Sequence, residues 1–292
     1  MYVLVFILAF WYILAKIVTS GLVLSWNFLA NKLWAFKALT KNKTPADIYT
    51  YELSIVIPSY NEENRLGHTL RAIEGYLNER KIKAEIIVVD DGSQDGTGGV
   101  VKNFQKNTPN LQLITLAKNK GKGFAVRTGV EKAIGEYIVF TDADNLTPIE
   151  ELNKLFSVLH NTEAHVVIGS RYLKSDNVKI QQPRYRVMIG RIGNLLIRTF
   201  LIDGIKDTQC GFKLFRNEVA KDIFRFQKVS RFGFDMEMLV VAQNLGYKIS
   251  ETPVNWFNST DSRLRPIKDR LITFKDLIYI KLNLWSGRYD KD

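Results

Sequence analysis

Residues 139–148 read VFTDADNLTP, a short apolar run that ends in Asp142 and Asp144 and is followed by Pro148. Two carboxylates at the end of a buried strand repel each other and lose hydration, so they need a cation, either a metal ion or an arginine. The D-x-D spacing alone leaves a second interpretation open. Asp144 or Asn145 could cap a helix that begins at Pro148.

Other short apolar runs lie on both sides of this stretch, and each ends in polar or turn residues. Helix-like apolar spacing separates the runs, over residues 64–80, 97–107, 123–134 and 148–160. This alternation predicts an α/β fold with a mostly parallel sheet flanked by helices, in which ligands bind at the carboxyl ends of the strands. The predicted strands are LSIVIPSY (53–60), AEIIVVDDGS (84–93), LQLITL (111–116), EYIVFTDAD (136–144) and AHVVIGS (164–170).

The predicted strand ends carry the candidate chemistry. Neither G-x-G-x-x-G nor G-x-x-x-x-G-K-[ST] follows the first strand, which disfavours a dinucleotide-binding fold and a P-loop. A hard divalent cation bridging a substrate diphosphate suits Asp142 and Asp144, because Mg²⁺ prefers one or two carboxylates plus phosphate oxygens. The polar residues at the other strand ends are Ser59, Tyr60, Asn61, Glu62, Asp90, Asp91 and Arg171.

Composition limits the class of protein. With 292 residues, of which 46% are hydrophobic, the chain can bury a substantial core, and its single cysteine excludes an internal disulfide framework. The formal net charge of +11 calls for an anionic partner, which could be nucleic acid, a membrane surface or a phosphorylated substrate.

The amino terminus favours the membrane. Residues 1–30 are apolar apart from Lys16 and a few small polar residues, and they are long enough to form a membrane anchor helix. A central lysine keeps a helix lying in the interface as an alternative to a span. Residues 31–50 form a basic juxtamembrane linker, whose lysines place the remaining chain, 51–292, on the cytosolic side. Nucleic acid is therefore the weaker explanation for the charge.

A series of motifs resembles a known family. In chain order they are VIPSYNEENRL, VVDDGSQDGT, NKGKGFAVRTGV, FTDADN, GSRY, DTQCGFKLF, FGFDMEML and VNW. Their order is similar to that of family 2 glycosyltransferases with the Rossmann-like GT-A fold, and the dolichyl-phosphate β-glucosyltransferase branch is the most similar. The resemblance covers residues 52 to 256. It implies inverting transfer of glucose from a UDP-sugar donor, UDP-glucose, to dolichyl or another polyprenyl phosphate, with Mg²⁺ or Mn²⁺ as cofactor.

The resemblance also implies roles for individual residues. Asp144 is the expected metal ligand and Asp142 contacts the ribose or the metal, whereas Leu146 replaces a glutamine ligand of related mannosyl enzymes. Arg171 and Arg191 match positions that bind the lipid phosphate. Asp235 matches the usual base position, but a phosphate acceptor is already ionised at neutral pH, so Asp235 is read as a positioning group. The implied sugar-nucleotide contacts are Pro58, Tyr60, Glu62, Asp90, Asp91, Lys122 and Arg263.

Several alternatives stay open at this level. The Asp90 and Asp91 pair could read uracil or guanine, so a dolichyl-phosphate mannose synthase using GDP-mannose is the nearest rival. A catalytically silent sugar-nucleotide-binding scaffold is a further class. Lys122 could be a solvated loop lysine. Residues 268–285 predict an amphipathic helix, either on the membrane surface or packed on the sheet. The membrane would be endoplasmic reticulum in a eukaryote and plasma membrane in a prokaryote.

Overall fold

The computed structural model describes residues 49–173, 201–257 and 268–290, with no side-chain description for 268–271. The predicted anchor, the basic linker, Arg191 and Arg263 lie outside these ranges. Within them, no helix is long and apolar enough to cross a membrane.

Seven strands form one sheet in the order β3-β2-β1-β4-β6-β5-β7. Three of them, β1, β2 and β4, pair in parallel through runs of almost wholly buried residues, as expected for strands covered on both faces. The strands are β1 (Tyr51–Ser59), β2 (Ala84–Asp90), β3 (Leu111–Thr115), β4 (Gly135–Phe140), β5 (Val166–Ser170), β6 (Lys213–Arg216) and β7 (Ile249–Pro253).

Helices cover both faces of the sheet. Alternate residues of β1 point to opposite faces, so Val56 packs in one core cluster and Ile55 and Ile57 in the other. The helices are α1 (Glu63–Arg80), α2 (Thr97–Gln105), α3 (Lys122–Lys132), α4 (Leu152–Asn161), α5 (Asn217–Phe226), α6 (Phe234–Asn244) and α7 (Lys268–Trp285), with a 3₁₀ turn at Ile149–Glu151.

The sheet is mixed, because β6 runs antiparallel between β4 and β5. The predicted α/β architecture is confirmed, and β6 is the antiparallel exception. Strands β1, β2, β4 and β5 end at the same edge of the sheet, while β6 begins there, with Lys213 opposite Phe140. Residues after Phe140 and Ser170 therefore meet residues before Lys213.

The helix predicted from Pro148 begins differently. Pro148 immediately precedes the 3₁₀ turn and its side chain caps nothing, and α4 starts only at Leu152. Neither Asp144 nor Asn145 caps this helix, so the capping interpretation was wrong. Instead, Asp144 Oδ1 accepts the backbone N–H of Leu146 at 3.3 Å, within a tight turn in which Asn145 has φ of 53°.

Candidate active site

A cavity at the carboxyl edge of the sheet collects side chains from four of the motifs. Asp142 and Asp144 follow β4, Arg171 follows β5, and the segment before β6 forms another wall. Gly211 lies so close to Asp142 that a Cβ there would overlap the carboxylate. The lining residues are Thr141, Asp142, Asp144, Leu146, Thr147, Arg171, Gln209, Cys210, Gly211 and Trp256.

Lys122 provides the nearest cation for Asp142. Its Nζ lies 2.6 Å from Asp142 Oδ1, and the ring of Phe234 lies beneath it, with Nζ 5.9 Å from the ring centroid. Burial alone would lower the pKa of Lys122, but Asp142 and Asp235 outweigh it, so the pKa is raised and the ammonium stays charged. The alternative of a solvated loop lysine was therefore wrong.

Asp144 is the less compensated carboxylate of the pair. Burial and the neighbouring Asp142 raise its pKa, against the Leu146 N–H, Arg65 and Lys122, which lower it. Arg65 Nη1 is 3.8 Å from Asp144 Oδ2, and Glu62 holds the Arg65 guanidinium through two hydrogen bonds of 2.7 Å. The Glu62 side chain makes no capping bond to α1.

The two carboxylates fit a divalent cation by their chemistry. They are hard oxygen donors at one strand end, and burial, followed by the repulsion from Asp142, raises the pKa of Asp144. In the described part of the chain, no cluster of three or more His, Cys, Asp or Glu side chains could enclose a metal ion. Mg²⁺ commonly completes its coordination shell with substrate phosphate oxygens and water.

Arg171 is fixed by a buried partner that the sequence interpretation missed. Its Nε and Nη2 donate to Asp207 at 2.8 and 2.9 Å, and its backbone N–H donates to the same carboxylate at 2.9 Å. Burial would lower the pKa of Arg171, but Asp207 raises it. Glu251 in turn accepts the Lys206 and Asp207 backbone N–H groups. The guanidinium thus lines the cavity in one set orientation.

A second buried ion pair lies below the cavity. Lys213 Nζ contacts the Asp235 carboxylate and donates to the Cys210 carbonyl at 2.5 Å, with both charged side chains almost wholly buried. Asp235 also contributes to the field at Lys122. The only sequence signal for Lys213 is a lysine inside the apolar run GFKLF.

The residues expected to hold the nucleotide lie at the ends of β1 and β2. Pro58 is inside β1, and Tyr60, directly after that strand, has an exposed ring. Asp91, in contrast, is buried and accepts the backbone N–H groups of Lys120 and Gly121, both at 2.7 Å. Asp90 accepts the Ser93 N–H at 2.9 Å. Asp91 therefore holds the loop directly before Lys122, the first residue of α3. The sequence pattern did not indicate this contact.

Comparison with known proteins gives the family. The model for "Glycosyl transferase family 2" matches residues 54–224, more than half of the chain. This chain belongs to glycosyltransferase family 2. It is 36% identical over 264 residues to a dolichyl-phosphate beta-glucosyltransferase of Dictyostelium discoideum, covering 86% of this chain and 80% of that protein. It is 37% identical over 256 residues to the human protein of the same name, covering 83% and 79%.

Solved structures support the fold of this glycosyltransferase. Glucosyl-3-phosphoglycerate synthase from Mycobacterium tuberculosis, in complex with Mn²⁺, UDP and phosphoglyceric acid, aligns with a TM-score of 0.59. The alignment covers 86% of this chain and 84% of that one, at 17% sequence identity. At that identity the likeness concerns the fold alone.

Proposed function

We propose that this glycosyltransferase transfers glucose from UDP-glucose to dolichyl phosphate or another polyprenyl phosphate, with inversion at the anomeric carbon. The similar proteins in Dictyostelium discoideum and human are named dolichyl-phosphate beta-glucosyltransferase, which supports a glucosyl group and a dolichyl-phosphate acceptor. The proposal includes an amino-terminal membrane anchor and a catalytic domain on the cytosolic side, at the endoplasmic reticulum if the source is eukaryotic.

The observation that carries the proposal is the state of the two carboxylates near the usual base position. Asp235 is buried against Lys213, and Glu237 accepts the N–H groups of Lys228 and Val229 and the hydroxyl of Tyr289. Neither carboxylate is among the residues that line the cavity, and both are engaged by partners within the protein. An acceptor that is already an oxyanion needs no base, and a phosphate monoester has its second pKa near ~6.

The cations around the cavity suit a reaction between two phosphates. As the bond from the anomeric carbon to the diphosphate breaks, negative charge grows on the leaving group, and the Lys122 ammonium beside Asp142 would stabilise it. Arg171, held by Asp207, would position the acceptor phosphate, together with Arg191 from outside the described residues. Asp142 and Asp144 would hold Mg²⁺ or Mn²⁺, which supplies further charge stabilisation when bound.

Transfer of labelled sugar into the organic phase tests the proposal. Purified full-length protein would be given a polyprenyl phosphate, Mg²⁺ or Mn²⁺, and either UDP-glucose or GDP-mannose, and the product anomer assigned by proton NMR. We expect β-linked label from UDP-glucose only. Lipid label from GDP-mannose would show that the donor is GDP-mannose and not UDP-glucose. No lipid label from either sugar nucleotide would favour a catalytically silent nucleotide-binding scaffold.

Asp144→Ala is the matching variant for the metal role. We expect it to abolish transfer while the thermal unfolding midpoint stays near that of the wild type, because the alanine removes a carboxylate whose pKa is raised by burial. Glu79→Ala removes an exposed carboxylate from α1 and serves as the control. Substantial activity in Asp144→Ala would contradict the metal role.

A further inference from the structure

The outer face of α7 carries a row of large apolar side chains in water. Phe274, Ile278, Leu282 and Trp285 are 55%, 46%, 55% and 73% exposed. Their spacings of four, four and three residues place them within about 80° of the helix circumference, in a stripe about 16 Å long, at 1.5 Å rise and 100° per residue. We call these four residues the α7 stripe.

The opposite face of α7 already packs against the domain. Ile280 and Asn283 are buried, and Leu277 and Leu284 pack against one of the two core clusters. A helix that is apolar on both faces is typical of a fully buried element, yet this one is covered on one face. Contiguous exposed apolar residues of this kind mark an interaction surface.

The residues that border the α7 stripe favour a membrane over a protein as its partner. Lys275 and Lys281 lie on its two sides, and Lys281 Nζ is 5.5 Å from the centroid of the Trp285 ring. Aromatic and aliphatic side chains flanked by lysines are typical of helices that lie in a membrane interface, whereas lysine is depleted in protein–protein interfaces. The net charge of +11 also suits an anionic lipid surface.

Contacts join α7 to the catalytic end of the domain. The Asp276 carboxylate lies against Gly233, where a Cβ would overlap it, and Gly233 directly precedes α6. The next residue, Phe234, carries the ring beneath Lys122. The helix that bears the stripe thus contacts Gly233, the residue directly before the ring that lies beneath Lys122.

We propose that the α7 stripe lies in the interfacial layer of an anionic lipid bilayer, so that the domain rests on the membrane at α7 and takes its lipid-linked acceptor from that surface. The role in acceptor delivery rests on the proposed function. The contact with the bilayer is inferred from the exposed apolar residues of the α7 stripe and does not depend on that function.

Site-specific quenching tests the contact in the full-length protein. Ile278→Cys would carry an environment-sensitive fluorophore in vesicles of phosphatidylcholine and phosphatidylserine. Ile134→Cys is the matched control, because Ile134 is 45% exposed and lies between α3 and β4. Native Cys210 is buried, and burial raises its thiol pKa to about 12, so it should resist labelling in the folded protein.

We expect doxyl-labelled lipids to quench the label at position 278, and aqueous iodide to quench the label at 134. Iodide quenching at 278 equal to that at 134 would overturn the proposal. Self-quenching between labels at 278, dependent on protein concentration and independent of lipid, would also overturn it by identifying a second copy as the partner.

An activity measurement separates this inference from the proposed function. In Phe274→Ser/Ile278→Ser/Leu282→Ser we expect transfer to long-chain polyprenyl phosphate in vesicles to fall on the order of tenfold, with transfer to a soluble ten-carbon analogue unchanged. Equal losses on both acceptors would contradict the delivery role. Lipid contact at position 278 without transfer by the wild type would refute the proposed function and leave the membrane contact standing.

Discussion

At the scale of single residues, the site depends on charges that are paired in series. Lys122 contacts Asp142 at 2.6 Å, and the charge of Asp235 also raises the pKa of Lys122. Asp235 in turn contacts Lys213. Each charged group therefore has an opposite charge beside it, and for the buried pair of Lys213 and Asp235 this pairing replaces lost hydration. A variant that removes one member should act on its neighbours as well as on the substrate.

Lys122→Met tests the cation that faces the donor. We expect kcat/KM for the sugar nucleotide to fall about 100-fold or more, because the variant removes a preorganised charge at the leaving group. Steady-state kinetics with the sugar nucleotide varied would measure the loss. Lys118→Met, at an exposed position four residues earlier, is the control. Equal kinetics in the two variants would refute the role of Lys122.

Asp207→Asn tests the buried partner of Arg171. Removing the buried carboxylate leaves the partly buried guanidinium unpaired, at a cost of up to about 3 kcal/mol in the free energy of unfolding. Burial would raise the pKa of Asp207, but Arg171 outweighs it and holds that pKa below its ordinary value. The stabilisation is therefore complete above pH ~4 and lost as pH falls further, since the unfolded chain takes up the proton first.

Urea unfolding of the wild type and Asp207→Asn at several pH values would check this dependence. The difference in the free energy of unfolding should be constant from pH 5 to 8 and shrink below pH ~4. Asp203→Asn, at an exposed position, should show no such difference. A difference that grows as the pH falls would contradict the assignment.

At the scale of elements, one glycine sets the distance between α3 and the sheet. A Cβ on Gly129 would overlap Val56 of β1 and come within 3.3 Å of Val89 of β2. Gly75, on the exposed face of α1, has no neighbour within 4 Å of such a Cβ. The same change from glycine to alanine should therefore act in opposite directions at the two positions.

Thermal and urea unfolding of the two variants would measure the contrast. We expect Gly129→Ala to destabilise the domain by about 1–3 kcal/mol, because the core is overpacked. Gly75→Ala should stabilise it by about 0.5–1 kcal/mol, because alanine loses less backbone entropy in a helix. A stabilising Gly129→Ala would show that α3 can move away from β1 and β2.

The same elements show how much of the fold can be predicted from the sequence. Apolar spacing predicted five strands and five helices within a few residues, and the strands were clear because buried parallel strands are continuous apolar runs. It gave no sign that β6 would be antiparallel, since Lys213 to Arg216 form only four residues and their partners are distant in sequence. The motifs placed Asp142, Asp144 and Lys122 together, but Asp207 and Lys213 depend on tertiary pairing that residue types do not encode.

At the scale of the whole molecule, Glu237 of α6 connects the loop before that helix to the carboxyl-terminal segment. Its carboxylate accepts N–H groups of the loop before α6, and the hydroxyl of Tyr289, beyond α7, at 2.7 Å. That loop continues to Ser230, whose carbonyl accepts the N–H of Phe124 in α3. The carboxyl-terminal segment is therefore linked to the Lys122 helix through Glu237 and the loop that this carboxylate holds.

Tyr289→Phe tests this connection. Losing a hydrogen bond to a buried carboxylate should cost about 1.5–3 kcal/mol and speed amide hydrogen exchange in α7. Tyr279→Phe, where the ring is exposed, should change neither. Exchange in α7 that is unaffected by Tyr289→Phe would show that the inner apolar face alone holds the helix.

The antiparallel β6 also has a consequence for synthesis on the ribosome. Strands β1 to β4 pair with one another in the order β3-β2-β1-β4, so that part of the sheet can assemble once residue 140 has emerged. In the described sheet, the neighbours of β5 are β6 and β7, both of which are translated after it. Translation from residue 140 to residue 216, at about 5–20 residues per second, takes about 4–15 s. During that interval the nascent chain holds a half-sheet whose β4 edge is unpaired, and a chaperone would find its binding site there.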